Sequence, residues 1–184
     1  AINYGVKVQQ LANDAPRGDL ITLQKHLLDV TAVDFARGSQ ALVSTSSDRK
    51  VYLWDVGQLR TEQAEALEPT TLGGHEQAVM SADFAPSGDY LATASLDSMV
   101  RLWHLTEPPN IQPEVVAGLG EAVTAVSYLP DGDLVATATT GGSSRLWTVA
   151  SGRHNKRLVE ERDEPLVAMA IAAKRRVVAL ATAT

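Results

Sequence analysis

Serine, histidine and aspartate recur together in this chain in a pattern that could support nucleophilic catalysis. One set is His26, Ser46 and Asp48, and it returns 49 residues later as His75, Ser95 and Asp97. In a hydrolase triad, histidine takes the proton of a serine hydroxyl and aspartate orients the histidine. Neither serine lies in a Gly-x-Ser-x-Gly elbow. Because an enzyme needs only one such site, the repetition favours a structural role.

Both sets lie in segments that are copies of one another. Residues 30–56 align without a gap with residues 79–105, and these align with residues 123–149 at an offset of 44. All three tryptophans, Trp54, Trp103 and Trp147, fall at the same position of their copies. Such a period indicates an array of supersecondary units that pack on their neighbours. Function is therefore expected on the surface of a scaffold.

Each copy has the pattern of short β-strands separated by turns. In the second copy, residues 79–84 and 90–95 flank a Pro-Ser-Gly-Asp turn, and residues 99–105 alternate between two faces. A fourth strand is expected at residues 70–72, 114–117 and 157–160. This predicts an all-β fold, a β-propeller of four-stranded antiparallel blades.

These residues give the chain a resemblance to the WD-repeat β-propeller family. The family pattern is Gly-His before the first strand, Ser-x-Asp closing the second and Trp-Asp ending the third. The second copy carries Gly74, His75, Ser95, Asp97, Trp103 and His104, and the first carries Lys25, His26, Ser46, Asp48, Trp54 and Asp55. The third copy has Leu119 and Gly141 in place of the histidine and the aspartate.

The resemblance implies a structural role for the polar sets. It implies one buried hydrogen-bonded network of His26, Ser46, Asp48 and Trp54, and a second of His75, Ser95, Asp97 and Trp103. Buried polar groups persist when their hydrogen bonds are satisfied, and a connected network specifies one packing. We therefore expect no catalytic residues among them.

The copies divide the chain into three complete blades and two half-blades. Residues 1–24 supply the last two strands of a preceding blade, and residues 161–184 the first two strands of blade 4. Blade 1 covers residues 25–72, blade 2 residues 73–117 and blade 3 residues 118–160. We favour a segment of a larger ring, because an open array exposes strand edges. The alternative is that the half-blades complete one another, as four blades in a monomer or eight in a homodimer, if the chain ends at Thr184.

Composition argues against several classes of function. The net charge is -6, and nucleic acid or anionic membranes need a basic footprint. There is no cysteine, and no histidine pair at metal-ligand spacing or glycine-rich phosphate loop is present. We expect no metal, no cofactor and no membrane span. With no signal-peptide pattern at the N-terminus, a cytoplasmic location is expected.

The resemblance also implies two loop surfaces. The top surface comprises the loops before the first strand and between the second and third strands of each blade. There we expect partner contacts at Asp29, Ser47, Arg49, Glu76, Gln77, Leu96, Glu121, Thr140, Asp163 and Glu164. On the opposite, bottom surface, a basic patch is expected from Arg153, Lys156, Arg157, Lys174, Arg175 and Arg176.

The function that follows is a non-catalytic platform for protein–protein contacts within a larger protein or complex. One alternative is a regulatory or sensor module of a multidomain signalling enzyme, whose catalytic residues lie outside these repeats. Another is an RNA- or nucleoprotein-associated propeller that uses the basic patch.

If the polar sets are structural, Asp97→Ala should lower the free energy of unfolding by a few kcal/mol, because it breaks a buried network. Urea denaturation of the variant beside the wild type measures the change. An unchanged unfolding midpoint would contradict a structural role.

Overall fold

The computed structural model describes residues 4–12, 15–38, 40–58, 67–105, 111, 113–149, 153–159, 164–172 and 177–182, and these are almost entirely antiparallel β-structure. The first two strands are β1 (Gly5–Ala12) and β2 (Ala15–Gln24). Blade 1 contains β3 (Val30–Phe35), β4 (Ala41–Ser46), β5 (Val51–Asp55) and β6 (Thr70–Leu72). Blade 2 contains β7 (Val79–Phe84), β8 (Tyr90–Ser95), β9 (Met99–His104) and β10 (Pro113–Gly118). Blade 3 contains β11 (Val123–Tyr128), β12 (Leu134–Thr139), β13 (Ser144–Thr148) and β14 (Arg153–Val159), and the chain continues with β15 (Leu166–Ala172) and β16 (Val177–Thr182).

Three four-stranded sheets follow the chain order, and two-stranded sheets flank them. Blade 1 runs β3-β4-β5-β6, and the same order holds in blades 2 and 3, while β1 pairs with β2 and β15 with β16. The predicted all-β fold of four-stranded antiparallel blades is thus confirmed, with a ring that is not closed in this chain. The fourth strand of blade 3 begins at Arg153 rather than at residue 157.

The second strand of each blade is buried on both faces. In β4, β8 and β12 every residue after the first is buried. These strands are rich in alanine, serine and threonine, whose small side chains let neighbouring blades approach closely. The turns around them need left-handed backbone, which Gly88 and Gly132 supply between the first two strands with φ near 80°.

The apolar cores lie between blades rather than within them. Phe84 and Val79 of β7 pack with Val43, Val51 and Leu72 of blade 1. In blade 3, Val126 and Tyr128 pack in the same way against blade 2. The corresponding side chains of β3 face no such blade among the described residues, and Val33 and Phe35 are 53% and 54% exposed.

Side chains of the first strands also bind the backbone of the next blade. The Asp34 carboxylate accepts a hydrogen bond from the Phe84 N–H at 3.0 Å. One repeat later, Asp83 accepts from the Tyr128 N–H at 2.6 Å and from the Ser127 hydroxyl at 2.9 Å. These carboxylates hold neighbouring first strands side by side, which fixes the angular relation of the blades.

The environment of Asp83 links its protonation to the stability of the packed blades. Burial raises the pKa of Asp83 to about 6, against opposing hydrogen bonds from Tyr128 and Ser127, and the charge of Asp34 adds to the increase. Because the folded-state pKa lies above the unfolded value, the folded protein retains a proton that the unfolded chain loses. The contribution of this group to stability therefore falls as the pH rises from about 4 to about 6.

Asp83→Asn should remove this pH dependence. The free energy of unfolding of the variant, relative to the wild type, should rise by about 2 kcal/mol between pH 4 and pH 6. Urea denaturation at half-unit pH intervals measures it. Asp89→Asn is the control, because Asp89 is an exposed carboxylate in the turn after β7. A difference that does not vary with pH would show that Asp83 is not protonated in the fold.

Candidate functional site

The polar set of blade 2 forms a continuous relay across the sheet. The Trp103 indole N–H donates to the Thr93 hydroxyl at 2.9 Å, and Thr93 lies 2.8 Å from Nε2 of His75. The other ring nitrogen of His75 lies 2.8 Å from the Asp97 carboxylate. Asp97 also accepts the backbone N–H groups of Glu76 and Met99. The relay thus connects the third strand, the second strand and the loop before the first.

Blade 1 repeats this relay through Ser44. The Trp54 indole N–H donates to the Ser44 hydroxyl at 2.9 Å, and Ser44 lies 2.9 Å from Nε2 of His26. His26 reaches Asp48 at 3.0 Å through its other nitrogen. The tyrosine Tyr52 lies against the His26 ring, with the ring centroids 4.6 Å apart.

The expectation that Ser46 and Ser95 link histidine to tryptophan is wrong. The Ser46 hydroxyl donates to the carbonyl of Leu28 and accepts the Asp48 N–H, and Ser95 does the same with Gln77 and Asp97. These hydroxyls lie one strand period nearer the turn than those of Ser44 and Thr93. They fasten the turn to the preceding loop, while Ser44 and Thr93 carry the relay.

A neutral histidine satisfies the hydrogen bonds to Asp97 and Thr93 in blade 2. The Arg101 guanidinium lies 3.0 Å from Asp97 and 2.6 Å from Nδ1 of His75, and this neighbouring cation also disfavours a charged histidine. With the proton on Nδ1, His75 donates to Asp97 and its Nε2 accepts from the Thr93 hydroxyl, which in turn accepts from Trp103. Burial lowers the pKa of His75 and outweighs the opposing effect of Asp97, which favours this state. Burial alone would raise the pKa of Asp97, but hydrogen bonds from Glu76, His75 and Met99 lower it.

The relays are shut off from solvent. Ser44 and Thr93 are completely buried, and the side chains of His26 and His75 are only 1% exposed. A nucleophile must reach its substrate, and here the hydroxyl already accepts an indole N–H. These sets therefore hold the sheets together and cannot act as hydrolase triads.

Blade 3 replaces the histidine and aspartate with different groups. Trp147 still donates to a second-strand hydroxyl, that of Thr137, at 3.0 Å. Leu119 is buried where the other blades have histidine. The carboxylate of Glu121 accepts the Thr139 hydroxyl at 2.6 Å and lies over Gly141, where an added Cβ would clash with it. Glu121 thus has a role inside the fold.

The loops of the predicted top surface meet at one end of the blades. Backbone hydrogen bonds join Ser47 to Asp29, Leu96 to Ala78 and Thr140 to Ala122, so each turn lies beside the preceding loop. Asp29, Arg49, Glu76, Gln77, Thr140 and Glu164 are exposed at these loops, Ser47, Leu96 and Glu121 are half-buried, and Asp163 lies outside the described residues.

The top surface also contains two residues that the sequence analysis did not single out. Leu27 is 79% exposed and Leu28 is 46% exposed, directly after the relay histidine of blade 1. The Leu27 N–H is held by the Asp48 carboxylate at 2.9 Å. The same positions of blade 2 carry Glu76 and Gln77. In the sequence, these two residues could have been recognised because leucines stand where blade 2 has polar residues.

The predicted basic patch falls only partly on residues that the structure describes, and it stays a prediction. Arg153, Lys156 and Arg157 belong to strand β14, where Arg153 pairs with Thr148 and Arg157 pairs with Arg145. They are therefore spread along the outer strand, because the connecting loop ends earlier than expected. Lys174, Arg175 and Arg176 lie outside the described residues.

Two features are absent from the parts of the chain that the structure describes. No group of three histidine, aspartate or glutamate side chains there could hold a metal ion. Nor does that portion contain a helix with the length and apolar character needed to cross a membrane.

Comparison with known proteins agrees with the repeat structure. The family model described as "WD domain, G-beta repeat" matches residues 18–55, 68–104 and 115–148. Human Protein Atg16l2 is 34% identical over 85 residues, which is 46% of this chain and 13% of that protein. Periodic tryptophan protein 2 of Saccharomyces cerevisiae is 29% identical over 85 residues, 46% of this chain and 9% of that protein.

A third relative is the Guanine nucleotide-binding protein subunit beta-1 of Drosophila melanogaster. It is 33% identical over 84 residues, which is 46% of this chain and 23% of that protein. The aligned region therefore spans less than a quarter of each of these relatives.

The relay predicts unequal costs for the same substitution in two blades. Thr93→Val keeps the side-chain shape but leaves the Trp103 N–H and His75 Nε2 without the hydroxyl, and should cost about 2–4 kcal/mol of stability. Thr137→Val, in the blade without histidine, should cost about 1–2 kcal/mol. Urea denaturation at pH 7 compares them, and equal losses would show that the histidine bond contributes nothing.

Proposed function

The chain belongs to the WD-repeat family, whose model covers more than half of its residues, and we propose that it is a non-catalytic platform that binds a partner protein through its top surface. WD-repeat proteins act in general as scaffolds for protein interaction. The finer proposal is that this chain does so as part of a larger polypeptide or complex. Its partner offers apolar and basic groups.

The exposed leucines at the top of blade 1 carry this proposal. Leu27 is held out to solvent by a backbone hydrogen bond to Asp48, so its exposure is built into the loop. The fold does not require leucine there, because blade 2 has Glu76 at the same position with the same bond to Asp97. Exposed apolar groups surrounded by polar residues are typical of interaction sites.

The charges around the leucines indicate the chemistry of the partner. Asp29, Glu76 and Glu164 are exposed carboxylates at the same end of the blades. The exposed cations there are Arg49, Lys50 and Lys25, of which Lys25 is paired with Glu68. Arg49 has a left-handed backbone with φ of 72°, which fixes the direction in which the turn presents it. A partner that places an apolar side chain over Leu27 and basic groups near the carboxylates would complement this surface.

The double substitution Leu27→Glu with Leu28→Gln tests the proposal, because it installs the residues that blade 2 already has at these positions. Affinity purification with chemical cross-linking, from the cells that produce the protein, should recover a partner cross-linked to the top loops. The double variant should recover at least tenfold less of it. The control is Val115→Glu, which replaces an apolar residue 52% exposed on the outer strand β10.

Two results would contradict the proposal. One is undiminished recovery by the double variant. The other is an equal loss of recovery with Val115→Glu. That result would place the interaction elsewhere or attribute it to non-specific apolar binding.

A further inference from the structure

The first strand of blade 1 presents an apolar face that the described residues leave largely uncovered. Phe35 and Val33 of β3 are 54% and 53% exposed. At the position of Phe35, the later first strands have Phe84 and Tyr128, which are only 6% and 5% exposed. Each of these two packs on the second and third strands of the preceding blade. The same neighbour is incomplete in front of blade 1.

The strands before blade 1 supply only half of that neighbour. β1 and β2 take the places of a third and a fourth strand, and Val6 and Leu23 lie in one core cluster with Leu42 and Trp54 of blade 1. Among the described strands β1 pairs with β2 alone, so its other edge is open where each complete blade has its second strand. An open edge is a template for a further strand. The missing part is therefore a first and a second strand.

Two strands of this kind follow blade 3. β15 and β16 align with the first and second strands of blade 3, and β16 consists largely of the small and β-branched residues found in those second strands. Of the described strands, only β15 pairs with β16, and Ala179 and Ala181 are exposed. Their counterparts in blade 2, Ala92 and Ala94, are completely buried. β16 therefore lacks a third strand and a following blade, which are the elements that β1 and β3 offer.

The two half-blades have also lost the two members of the relay that a shared blade would join. Each complete blade links a third-strand tryptophan to a second-strand hydroxyl, as Trp103 is linked to Thr93. β1 has Gln9 at the tryptophan position, and β16 has Leu180 at the hydroxyl position. A buried indole N–H opposite leucine would lack an acceptor, so losing one member removes the need for the other. The paired loss favours one blade that contains both strands.

The repeat alignment fixes the register in which β16 meets β1. In blade 2, Ala92 of the second strand pairs with Leu102 of the third. The same offsets place Ala179 opposite Val8. Side chains at these positions lie on the face that is turned toward the following blade, which is the side from which β3 presents Phe35. A single association thus pairs both open edges and covers the exposed phenylalanine.

We propose that β15 and β16 of one copy complete the blade to which β1 and β2 of a second copy belong, and that the exchange is reciprocal across a two-fold axis. Three complete blades from each copy and two composite blades then form a closed ring of eight. Within one copy β16 pairs with β15 alone among the described strands, so the blade is not completed from inside the same chain. The interface uses strand edges and blade faces, not the top surface, so it is correct or wrong independently of the function proposed above.

Sedimentation equilibrium of the protein over a range of concentrations is the test. The expected result is a reversible dimer, with a mass approaching twice that of one chain. Phe35→Glu and Ala179→Arg, both at exposed positions, should each weaken dimerisation at least tenfold, because each puts a charge into the face that becomes buried. The control is Val115→Glu, at an equally exposed apolar position on β10, which should change dimerisation less than twofold.

A mixture of the two variants distinguishes a lost interface from misfolding. Each variant alone forms only dimers with two damaged interfaces. A dimer of Phe35→Glu with Ala179→Arg has one wild-type interface and one in which the two introduced charges of opposite sign meet. The equimolar mixture should therefore dimerise at least several-fold more tightly than either variant alone.

An introduced cross-link tests the register. The chain contains no cysteine, so Val8→Cys with Ala179→Cys introduces a single pair at directly opposed positions, where the Cα separation of paired strands suits a disulfide. Oxidation should give a covalent dimer. The control is Lys7→Cys with Ala179→Cys, which should give at least tenfold less, because Lys7 lies on the other face of β1.

Four outcomes would overturn the proposal. They are a monomer at every concentration, dimerisation that Phe35→Glu leaves undiminished, a mixture that dimerises no better than its components, and equal cross-linking of the two cysteine pairs. An internal disulfide in a monomer would overturn the second copy as the occupant, because it would show that one chain closes its own ring.

Discussion

The apolar side chains of each blade are buried by the neighbouring blade, and this constraint governs the rest of the structure. Phe84 extends from the first strand of blade 2 into a core whose other members, such as Val43 and Val51, come from blade 1. A single four-stranded sheet cannot enclose both of its apolar faces, so stability depends on the contact between sheets. The exposed Phe35, at the position equivalent to Phe84, shows what a first strand looks like without that contact.

Within a blade, hydrogen bonds hold the strands together where the side chains are too small for extensive apolar packing. The second strands consist of small residues, and the relay through Ser44 or Thr93 joins them to tryptophan on one side and histidine on the other. Blade 3 keeps the tryptophan bond but uses Leu119 and Glu121 for the rest. Because the histidine and aspartate are absent together, no charged group is left buried and unpaired.

With the interior committed to packing, the loops at the ends of the blades are among the parts left exposed. At the top, the loops carry the exposed Leu27, and exposed carboxylates lie at the same end of the blades. Leu27 departs from the neighbouring copy of the repeat, which has Glu76 at that position. Such a departure marks a residue that the fold does not require, and under our proposal it serves binding.

The sequence by itself determined the repeating unit, the strands of each copy and the positions of tryptophan, histidine and aspartate, because period and alternation are local properties of a chain. It could not decide between Ser44 and Ser46 as the partner of Trp54. The two serines are separated by one strand period, face the same side of β4 and are both fully buried, so their patterns are identical.

Only the tertiary structure selects Ser44, because it sets the distances from Ser44 to Trp54 on the third strand and to His26 in the loop. The same holds for the hydrogen bonds of Asp83 to blade 3 and for the exposure of Leu27. Each depends on how one sheet is placed against the next, and that placement is set by long-range packing that no local pattern records.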